Sequence, residues 1–311
     1  MSIKENEEKL ALLKKELEVA IDEKNQDLQK QLNEAIRDHL NTAYKNIANI
    51  DKVAMARNKD RPNINEYIEH IFDQFIELHG DRSMGDDRSI VGGIAFFKEQ
   101  PVTVIGHQKG RSIQENAICN YGMSNPSGYR KALRLMKQAE KFNRPIINFV
   151  DTPGAYPGME AEQYGIGEAI ARNLMEMATL TVPIITIITG EGGSGGALAL
   201  AVANRVVMLE NSVYSILSPE GFASILWKDS SKADVAADVM KLDANNLKAM
   251  GIIDDIIDEP AGGVDKNPSF VYTRISLYLN HALKELTKLS SNQLVNKRYE
   301  KYRAFGSDVD V

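Results

Sequence analysis

The sequence predicts a layered α/β protein with a helical extension at its N-terminus. The first fifty residues are rich in charge and repeat apolar side chains at helical spacing. Two short apolar runs, Pro145–Val150 and Pro183–Thr189, each lead directly into a glycine-rich turn and then into a helical pattern. Strand and helix patterns alternate over the rest of the chain, which is typical of a sheet covered by helices.

Composition bounds the class of protein. The chain has 311 residues, 43% of them apolar, with 37 basic and 43 acidic side chains and a formal net charge of -6. This length and apolar content allow a full core and exclude a mostly disordered chain. The negative charge disfavours nucleic-acid binding over the whole surface.

The sequence also sets expectations about location and metals. No window approaches the roughly 20 apolar residues of a membrane span, and the opening MSIKENEEKL lacks the apolar core of a secretory signal. Cys119 is the only cysteine, so we expect neither a disulfide framework nor a cysteine-rich zinc site in this chain. We therefore expect a soluble, cytoplasmic protein with no metal site of its own.

Two amphipathic helices are predicted before residue 50, with a polar break at Glu23–Gln26 between them. Their apolar stripes are Leu10, Leu13, Leu17 and Ile21, and Leu28, Leu32, Ala35, Ile36 and Leu40. The residues leave open whether this extension docks on another protein or only packs on the body of the chain. We expect 1–60 to form the extension and 61–311 to form the main domain.

The remaining elements follow in order. A third helix is predicted after Arg61-Pro62-Asn63, with apolar side chains from Ile64 to Leu78 and with Gly80 placed to end it. The further strands are Ser89–Phe97 and Val102–His107 as a hairpin, then Pro145–Val150, Pro183–Thr189, Arg205–Leu209, Val213–Leu217 and Ile252–Ile257. The further helices are Tyr129–Phe142, Glu162–Ala178, the Ala/Leu segment after Gly196, segments within Pro219–Met250, and Ser269–Leu289, followed by a polar tail.

The strongest chemical signal is the junction ITGEGGSGGALALA, where five of the seven residues 190–196 are glycine. Glycine allows backbone N–H groups to approach a ligand closely. A helix that begins here presents unpaired N–H groups at its positive end, which suits a developing oxyanion. Tight packing of helix on strand explains one or two of these glycines, but not five.

Three hypotheses address this junction, and the first is a nucleophile elbow. Gly192–Gly196 satisfies the pattern G-x-S-x-G around Ser194, between a strand and a helix. That hydrolase arrangement requires an acid and then a histidine downstream. The only downstream histidine is His281, whose leucine neighbours indicate packing on a helix.

The other two hypotheses use the backbone. A Walker phosphate loop requires Gly-Lys-Ser/Thr, and the junction has no lysine. A dinucleotide pattern passes through Gly190, Gly192 and Gly195, but only Glu210 offers an acidic residue about 20 positions on. A pure backbone oxyanion hole needs only glycine N–H groups and accounts for the two glycine pairs that flank Ser194.

A second glycine- and proline-rich junction, DTPGAYPG, follows the strand Pro145–Val150, and such loops are where α/β sheets bind ligands. Here Tyr156 either contacts a ligand or braces the loop.

Near the two junctions, Asp151, Glu191 and Glu220 either orient loops or cap helices. His107 ends a predicted strand, and we expect it to be a core or hydrogen-bonded residue rather than a catalytic base. The basic side chains are Lys109 and Arg111, which suit phosphates or an acidic partner, and Arg130, Lys131, Arg134 and Lys137, expected on a solvent- or subunit-facing surface.

Many ordered segments together resemble one family. They are ELHGDR, VGGIAFF, VTVIGHQKGR, GYRKALRLMKQAEKFNRPI, DTPGAYPG, EAIARNLMEMA, GEGGSGGALAL, ENSVYSILSPEG, ILWKD, GIIDDII and RYEKYRAFG. Over nearly the whole chain, this set resembles the carboxyltransferase α subunit of multi-subunit acetyl-CoA carboxylase. The chain departs from the family at Gln163–Ile166, where the usual residues are Glu-Arg-Gly-Gln. We therefore assign no role to an arginine or glutamine there.

The resemblance implies a crotonase-like spiral of ββα units over 61–311. It implies transfer of a carboxyl group from carboxybiotin, on the biotin carboxyl carrier protein, to acetyl-CoA, giving malonyl-CoA for fatty acid synthesis. It further implies a separate β subunit that bears a zinc finger and holds most of the thioester enolate, in an α2β2 heterotetramer. Carboxylation of biotin with ATP would belong to biotin carboxylase.

The resemblance also implies roles for residues. Gly195 and Gly196 would supply backbone N–H groups to the ureido oxygen of biotin, Gly192 and Gly193 would shape this oxyanion hole, and Ser194 would be structural. The biotin anion would take the α proton of acetyl-CoA, so no side-chain base is required. The candidate substrate-binding residues are Gly154, Ala155, Tyr156, Lys109 and Arg111.

Three alternatives remain at this stage: a carboxyltransferase subunit for another short acyl-CoA such as propionyl-CoA, a serine hydrolase, and a non-catalytic scaffold for a catalytic partner. The oxyanion-hole hypothesis predicts a mild effect of Ser194→Ala and a crippling effect of β-branched residues at Gly195 or Gly196. The hydrolase hypothesis predicts the opposite for Ser194, and the scaffold hypothesis predicts normal turnover for Gly196→Val.

Overall fold

A mixed β-sheet runs through the computed structural model, which describes residues 3–44 and 47–306. Its strands are β1 (Asp73–Glu77), β2 (Ile90–Phe97), β3 (Gln100–His107), β4 (Ile146–Thr152), β5 (Ile184–Gly193), β6 (Arg205–Leu209), β7 (Val213–Ser215) and β8 (Asp255–Ile257). Their order is β1-β2-β3-β4-β5-β6-β8, and β7 pairs with the end of β5. β1, β2 and β3 pair antiparallel, and every later pair is parallel.

Helices precede, connect and cover the strands. They are α1 (Ile3–Asp22), α2 (Gln26–Ala43), α3 (Asn49–Ala56), α4 (Ile64–Ile71), α5 (Ile113–Ile118), α6 (Pro126–Lys141), α7 (Met159–Gln163), α8 (Ile166–Thr179), α9 (Ser194–Ala201), α10 (Pro219–Trp227), α11 (Ala233–Met240), α12 (Ala244–Ala249), α13 (Pro268–Leu286) and α14 (Ser291–Arg303). The predicted alternation of strands and helices is confirmed. None of the helices in the described ranges is long and apolar enough to cross a membrane.

The core lies on both faces of the sheet. On one face, residues such as Val104 and Ile147 pack with α4 and α13, and on the other, Ile105 and Ile146 pack with α6 and α9. Neighbouring residues of a strand point to opposite faces. Strands buried on both faces therefore have continuous apolar runs, as in β4 and β5.

The two predicted N-terminal helices are confirmed, and they form a hairpin. α1 and α2 pack on each other, and the side chain of Asn25 accepts a hydrogen bond from Leu28 N at the start of α2. α3, which the sequence analysis did not predict, follows this hairpin. The proposed boundary at residue 60 stays a prediction, and its two ranges include residues 1, 2, 45, 46 and 307–311, which lie outside the described residues.

The predicted third helix is too long. α4 ends at Ile71, and the segment predicted as its continuation to Leu78 forms β1, which pairs with β2 through Ile76↔Ile94 and Glu77↔Gly93. The apolar spacing of this segment fits a helix, but the open edge of β2 supplies hydrogen-bond partners for an extended backbone. Tertiary context therefore overrides the local pattern.

Further elements differ from the prediction, and β7 and β8 are shorter than predicted, with β7 ending at Ser215 and β8 beginning at Asp255. The helix predicted over Glu162–Ala178 is two helices, because Gly165 between them has a left-handed backbone with φ of +79°. β5 continues beyond Thr189 through the first glycines to Gly193, since Gly192 pairs with Thr152 of β4 and Tyr214 of β7. The polar tail forms α14, whose start is capped by Ser290 and Gln293.

The basic face of α6 is also different from the prediction. Lys131 is fully buried, and its Nζ lies 2.7 Å from Oδ1 of Asp86. Arg134 donates to the carbonyl oxygen of Gly80 at 2.9 Å. These two side chains hold the segment after β1 against α6 rather than forming a free surface.

Candidate active site

The two glycine-rich junctions lie side by side at the carboxyl ends of β4 and β5. Thr152 pairs with Gly192, and the register is irregular between Val150 and Thr152. α9 begins immediately after β5, at Ser194. The two loops therefore lie at the same edge of the sheet, as loops that follow neighbouring parallel strands do.

Two glycines are required by close backbone packing. A Cβ atom on Gly193 would overlap the carbonyl oxygen of Pro153. A Cβ atom on Gly196 would lie 2.7 Å from the carbonyl carbon of Gly154 and 2.8 Å from the nitrogen of Ala155. Glycine at these positions brings the first turn of α9 against the DTPG turn.

Gly195 is in a different environment. It is half-buried, and a Cβ atom there would meet Ile170 of α8 at 3.5 Å, an ordinary van der Waals distance. Space for a methyl group exists beside Gly195 but not beside Gly196.

Ser194 has an exposed side chain and a left-handed backbone with φ of +47°. Among the hydrogen bonds of the described residues, none involves its hydroxyl group, so the structure shows no base beside it. His281, the histidine that a hydrolase would require, lies on α13 with 77% of its side chain exposed and faces Glu285. This arrangement does not resemble a Ser-His-acid triad.

The first turn of α9 supplies backbone N–H donors. The first N–H groups of an α-helix have no acceptor within the helix, and those of Gly195 and Gly196 belong to this turn. Aligned peptide dipoles place partial positive charge at the same end. The turn can therefore stabilise an oxygen atom that gains negative charge.

The DTPG turn is fixed by its own side chains. The hydroxyl group of Thr152 donates to the carbonyl oxygen of Gly154 at 2.8 Å and accepts from its N–H at 3.1 Å. The backbone N–H of Tyr156 donates to the carbonyl oxygen of Ser124 at 3.1 Å, and its ring packs beside Gly158. These contacts show Tyr156 bracing the loop.

A network of charges lies behind the two turns. Nζ of Lys109 is 2.7 Å from Oδ1 of Asp151 and 3.1 Å from Oε2 of Glu191. Arg57, the residue that follows α3, pairs with Glu191 at 2.8 Å and with Glu220 at 2.7 Å. Burial lowers the pKa of Lys109, but the two carboxylates outweigh it and hold that pKa above its usual range. Lys109 is thus a fixed cation.

Asp151 connects this network to β5. Its Oδ1 accepts a hydrogen bond from the backbone N–H of Glu191 at 2.9 Å. A side chain at Gly190 would overlap the same carboxylate. The carboxylate therefore orients the strand that leads into the glycine junction, as hypothesised from the sequence.

The sequence analysis missed Arg57. It directly follows α3, an element that was not predicted, and it belongs to no motif that the sequence analysis singled out. Its pairing with Glu191 and Glu220 depends on residues 134 and 163 positions away, which no local pattern shows.

A cavity of about 260 Å³ opens beside this network. Its lining includes Arg57, Lys109, Arg111, Tyr121 and Glu191. Arg111 pairs with Glu66 and donates to the carbonyl oxygen of Lys59 at 2.8 Å. Gly195 and Gly196 do not line this cavity. Lys109 and Arg111 therefore lie near the junction but point their charges at carboxylates of this chain.

His107 lies at the end of β3, close to the backbone of Phe149 and Gly196. It is 2% exposed, and neither ring nitrogen has a hydrogen-bond partner in the described part of the chain. Burial lowers the pKa of His107 to about 4, so the ring is neutral at physiological pH. The expectation of a core histidine is consistent with this environment. Within residues 3–44 and 47–306, no group of three or more His, Cys, Asp or Glu side chains is arranged to hold a metal ion.

Comparison with known proteins decides the family. A family model described as acetyl co-enzyme A carboxylase carboxyltransferase-like matches residues 1–306. The chain belongs to this family. The acetyl-coenzyme A carboxylase carboxyl transferase subunit alpha of Clostridium acetobutylicum is 58% identical over 259 residues, covering 83% of this chain and 94% of that protein. The subunit of the same name from Bacillus subtilis is 58% identical over 263 residues, covering 85% of this chain and 81% of that protein.

Solved structures show the fold. A transcarboxylase 12S structure aligns with a TM-score of 0.60 at 21% identity, covering 73% of this chain and 42% of that chain. The beta subunit of geranyl-CoA carboxylase from P. aeruginosa aligns with a TM-score of 0.59 at 16% identity, covering 79% and 46%. This chain spans less than half the length of either. The predicted crotonase-like α/β fold is confirmed by these neighbours.

Proposed function

We propose that this chain is the α subunit of an acetyl-CoA carboxylase carboxyltransferase and transfers a carboxyl group from carboxybiotin to acetyl-CoA. The observation that carries this proposal is family membership over residues 1–306 together with a helix N-terminus built from glycine at the junction. The match to the family favours this reaction over ester hydrolysis, for which the environment of Ser194 offers no base.

In the proposed site, the N–H groups of Gly195 and Gly196 donate to the ureido oxygen of biotin. The fit rests on two features: the half-buried Gly195 leaves its side of the turn accessible, and Gly196 fixes the turn against Gly154 and Ala155. Biotin supplies a ring that carries the carboxyl group and spreads negative charge onto this oxygen. Loss of one such donor typically costs about 3 kcal/mol of transition-state stabilisation.

Gly192 and Gly193 shape the site in this proposal. Gly192 joins β5 to β4 and β7, and Gly193 places the start of α9 against Pro153. Ser194 occupies the left-handed position between the glycine pairs and has a structural role.

The roles of Lys109, Arg111, Gly154, Ala155 and Tyr156 in substrate binding remain proposals. Lys109 and Arg111 each pair with carboxylates of this chain, which favours a role in holding the loops in place over direct binding of phosphate groups. Gly154 and Ala155 contact the turn that carries the donors, which keeps them next to bound substrate.

The proposed assembly contains a zinc-finger-bearing β subunit in an α2β2 heterotetramer, which receives biotin on the biotin carboxyl carrier protein after its carboxylation by biotin carboxylase. The names of the relatives, each a subunit alpha, support a multi-subunit enzyme. We place this assembly in the cytoplasm, at the start of fatty acid synthesis.

The test is decarboxylation of malonyl-CoA with biotin as acceptor, measured for the chain alone, for a β subunit alone and for the mixture. Activity confined to the mixture supports a shared carboxyltransferase site. Ester hydrolysis by the chain alone, lost in Ser194→Ala, would instead support a hydrolase. If the mixture that contains Gly196→Val turns over normally, this chain is a non-catalytic scaffold for its partner.

A further inference from the structure

Buried side chains fix the C-terminal end of α9, opposite the glycine donors. The last carbonyl oxygens of a helix have no partners within it. In α9 these oxygens accept hydrogen bonds from four side chains. The bonds join Asn173 to Ala199 at 3.2 Å, Asn148 and Thr186 to Leu200 at 2.8 and 2.7 Å, and Tyr302 to Ala201 at 2.7 Å.

The four donors come from four separate elements: α8, β4, β5 and α14. Three of them, Asn148, Asn173 and Thr186, are fully buried. Because they converge on one turn of an eight-residue helix, they fix that turn from several sides. α9 has no left-handed glycine at its C-terminal end, so side chains take the place of that common cap.

The two asparagines also leave a polar atom unpaired. Oδ1 of Asn148 and Oδ1 of Asn173 have no hydrogen-bond partner among the described residues. A buried acceptor without a donor costs free energy. The nitrogen atoms of both amides bind the end of α9, and that of Asn173 also donates to the carbonyl oxygen of Tyr129 at 3.1 Å.

The length of α9 connects this end to the proposed site. Eight residues of α-helix span about 12 Å, so the clamped turn and the donor turn move as one rigid body. The negative end of the helix dipole is also close to the anion at the positive end, and donors at the last carbonyls offset that negative charge. Both effects favour the N–H groups of Gly195 and Gly196 as fixed oxyanion donors.

We propose that these four side chains, here called the α9 clamp (Asn148, Asn173, Thr186 and Tyr302), are positioning residues for carboxyl transfer. The clamp rests on the proposed function of Gly195 and Gly196. It touches neither biotin nor acetyl-CoA and acts through the orientation and potential of α9.

Tyr302 offers the cleanest test, because its hydroxyl group is removed without changing the ring. This hydroxyl donates to Ala201 and accepts a hydrogen bond from the backbone N–H of Ala203 at 2.9 Å. Tyr299 lies on the same helix with its side chain exposed. Tyr302→Phe and the matched control Tyr299→Phe thus delete the same atom from α14 with and without a contact to α9.

The first measurement is hydrogen–deuterium exchange of the full chain over residues 194–201. We expect faster exchange of these amides in Tyr302→Phe, with no change in Tyr299→Phe and no change in the far strands β2 and β3. Unchanged exchange over 194–201 in Tyr302→Phe would overturn the clamp. This measurement does not require activity, so it separates failure of the clamp from failure of the proposed function.

The second measurement is malonyl-CoA decarboxylation by the complex with a β subunit. Tyr302→Phe and Thr186→Val each remove one hydrogen bond to a carbonyl oxygen of α9. We expect each to lower kcat about fivefold, with KM for malonyl-CoA unchanged. Equal kcat in Tyr302→Phe and Tyr299→Phe, in a wild-type complex that is active, would overturn the positioning role. A wild-type complex without activity would overturn the proposed function and with it the catalytic role of the clamp.

Discussion

A Cβ atom added to Gly196 would lie 2.8 Å from the backbone nitrogen of Ala155, so the turn after β4 and the first turn of α9 are in direct backbone contact. Neither turn can move without the other. Gly195, one residue earlier, has no such contact and faces only a side chain of α8. The two proposed donor positions therefore differ in whether they tolerate an added side chain.

We predict that Gly196→Ala lowers kcat of the complex about 100-fold or more, while Gly195→Ala stays within about threefold of wild type. The extra methyl group at Gly196 must push the Gly154–Ala155 backbone away, which misplaces the donors. At Gly195 the methyl group makes an ordinary contact, and alanine favours the helix. Steady-state kinetics of both variants with a β subunit, checked by circular dichroism, gives the comparison. A larger loss in Gly195→Ala than in Gly196→Ala would contradict it.

Ser194→Ala is expected to change kcat by less than about threefold, because the Ser194 hydroxyl group has no partner in the described structure. The left-handed backbone at this position also predicts that Ser194→Gly is at least as stable as wild type. Turnover and thermal melting of the two variants test this pair of expectations. Abolished turnover in Ser194→Ala, with the protein still folded, would give the serine a chemical role.

Lys109→Met is predicted to lower the free energy of unfolding by about 3 kcal/mol, because it leaves the carboxylates of Asp151 and Glu191 without their shared cation. Lys137→Met is the matched control: Lys137 pairs with Glu176 near the surface and should contribute less than about 1 kcal/mol. Urea unfolding of the chain measures both. If Lys109 instead binds the phosphates of an acyl-CoA, Lys109→Met will raise KM and leave stability unchanged.

His107 should make stability depend on pH. Burial lowers its folded-state pKa to about 4, with Asp151 acting in the opposite direction and Lys109 in the same one. The ordinary value in the unfolded chain is about 6.5, so between about pH 6.5 and 4 the unfolded chain binds a proton that the folded chain does not. The free energy of unfolding therefore falls as pH falls through this window, by up to about 3 kcal/mol.

The variant His107→Phe removes this titration and should flatten the dependence measured by urea unfolding at about pH 5 and about pH 7.5. His281→Gln is the matched control, since it replaces a histidine whose side chain is exposed on α13. Equal slopes in wild type and His107→Phe would show that another group controls stability in this range.

Local patterns predicted much of the fold because the informative segments carry their own signals. The amphipathic helices α1, α2 and α13 repeat apolar residues at helical spacing, and the buried strands β4 and β5 are short, continuous apolar runs. The hairpin β2–β3 consists of two runs rich in strand-forming residues around a turn. β1 was predicted as helix because Phe72, Phe75 and Leu78 around it have helical spacing, and its pairing with β2 decides the outcome.

The candidate site was predictable in its backbone and not in its side-chain partners. Gly193 and Gly196 stand where the backbone of the neighbouring turn leaves no room for a side chain, so the glycine-rich composition itself indicates the close contact. No comparable signal in the sequence points to Arg57 or Tyr302. Each acts on a residue about 100 or more positions away, at Glu191 and Ala201, and that proximity exists only once the sheet is assembled.

The hydrogen bond from Tyr302 to Ala201 spans 101 residues of sequence. During synthesis at about 5–20 residues per second, α14 follows α9 by about 5–20 seconds. For that interval the helix proposed to carry the oxyanion donors has only three of the four side chains that hold its end. The α9 clamp is thus completed late in the life of the nascent chain, because almost the whole chain must be made before the last of its four side chains can reach α9.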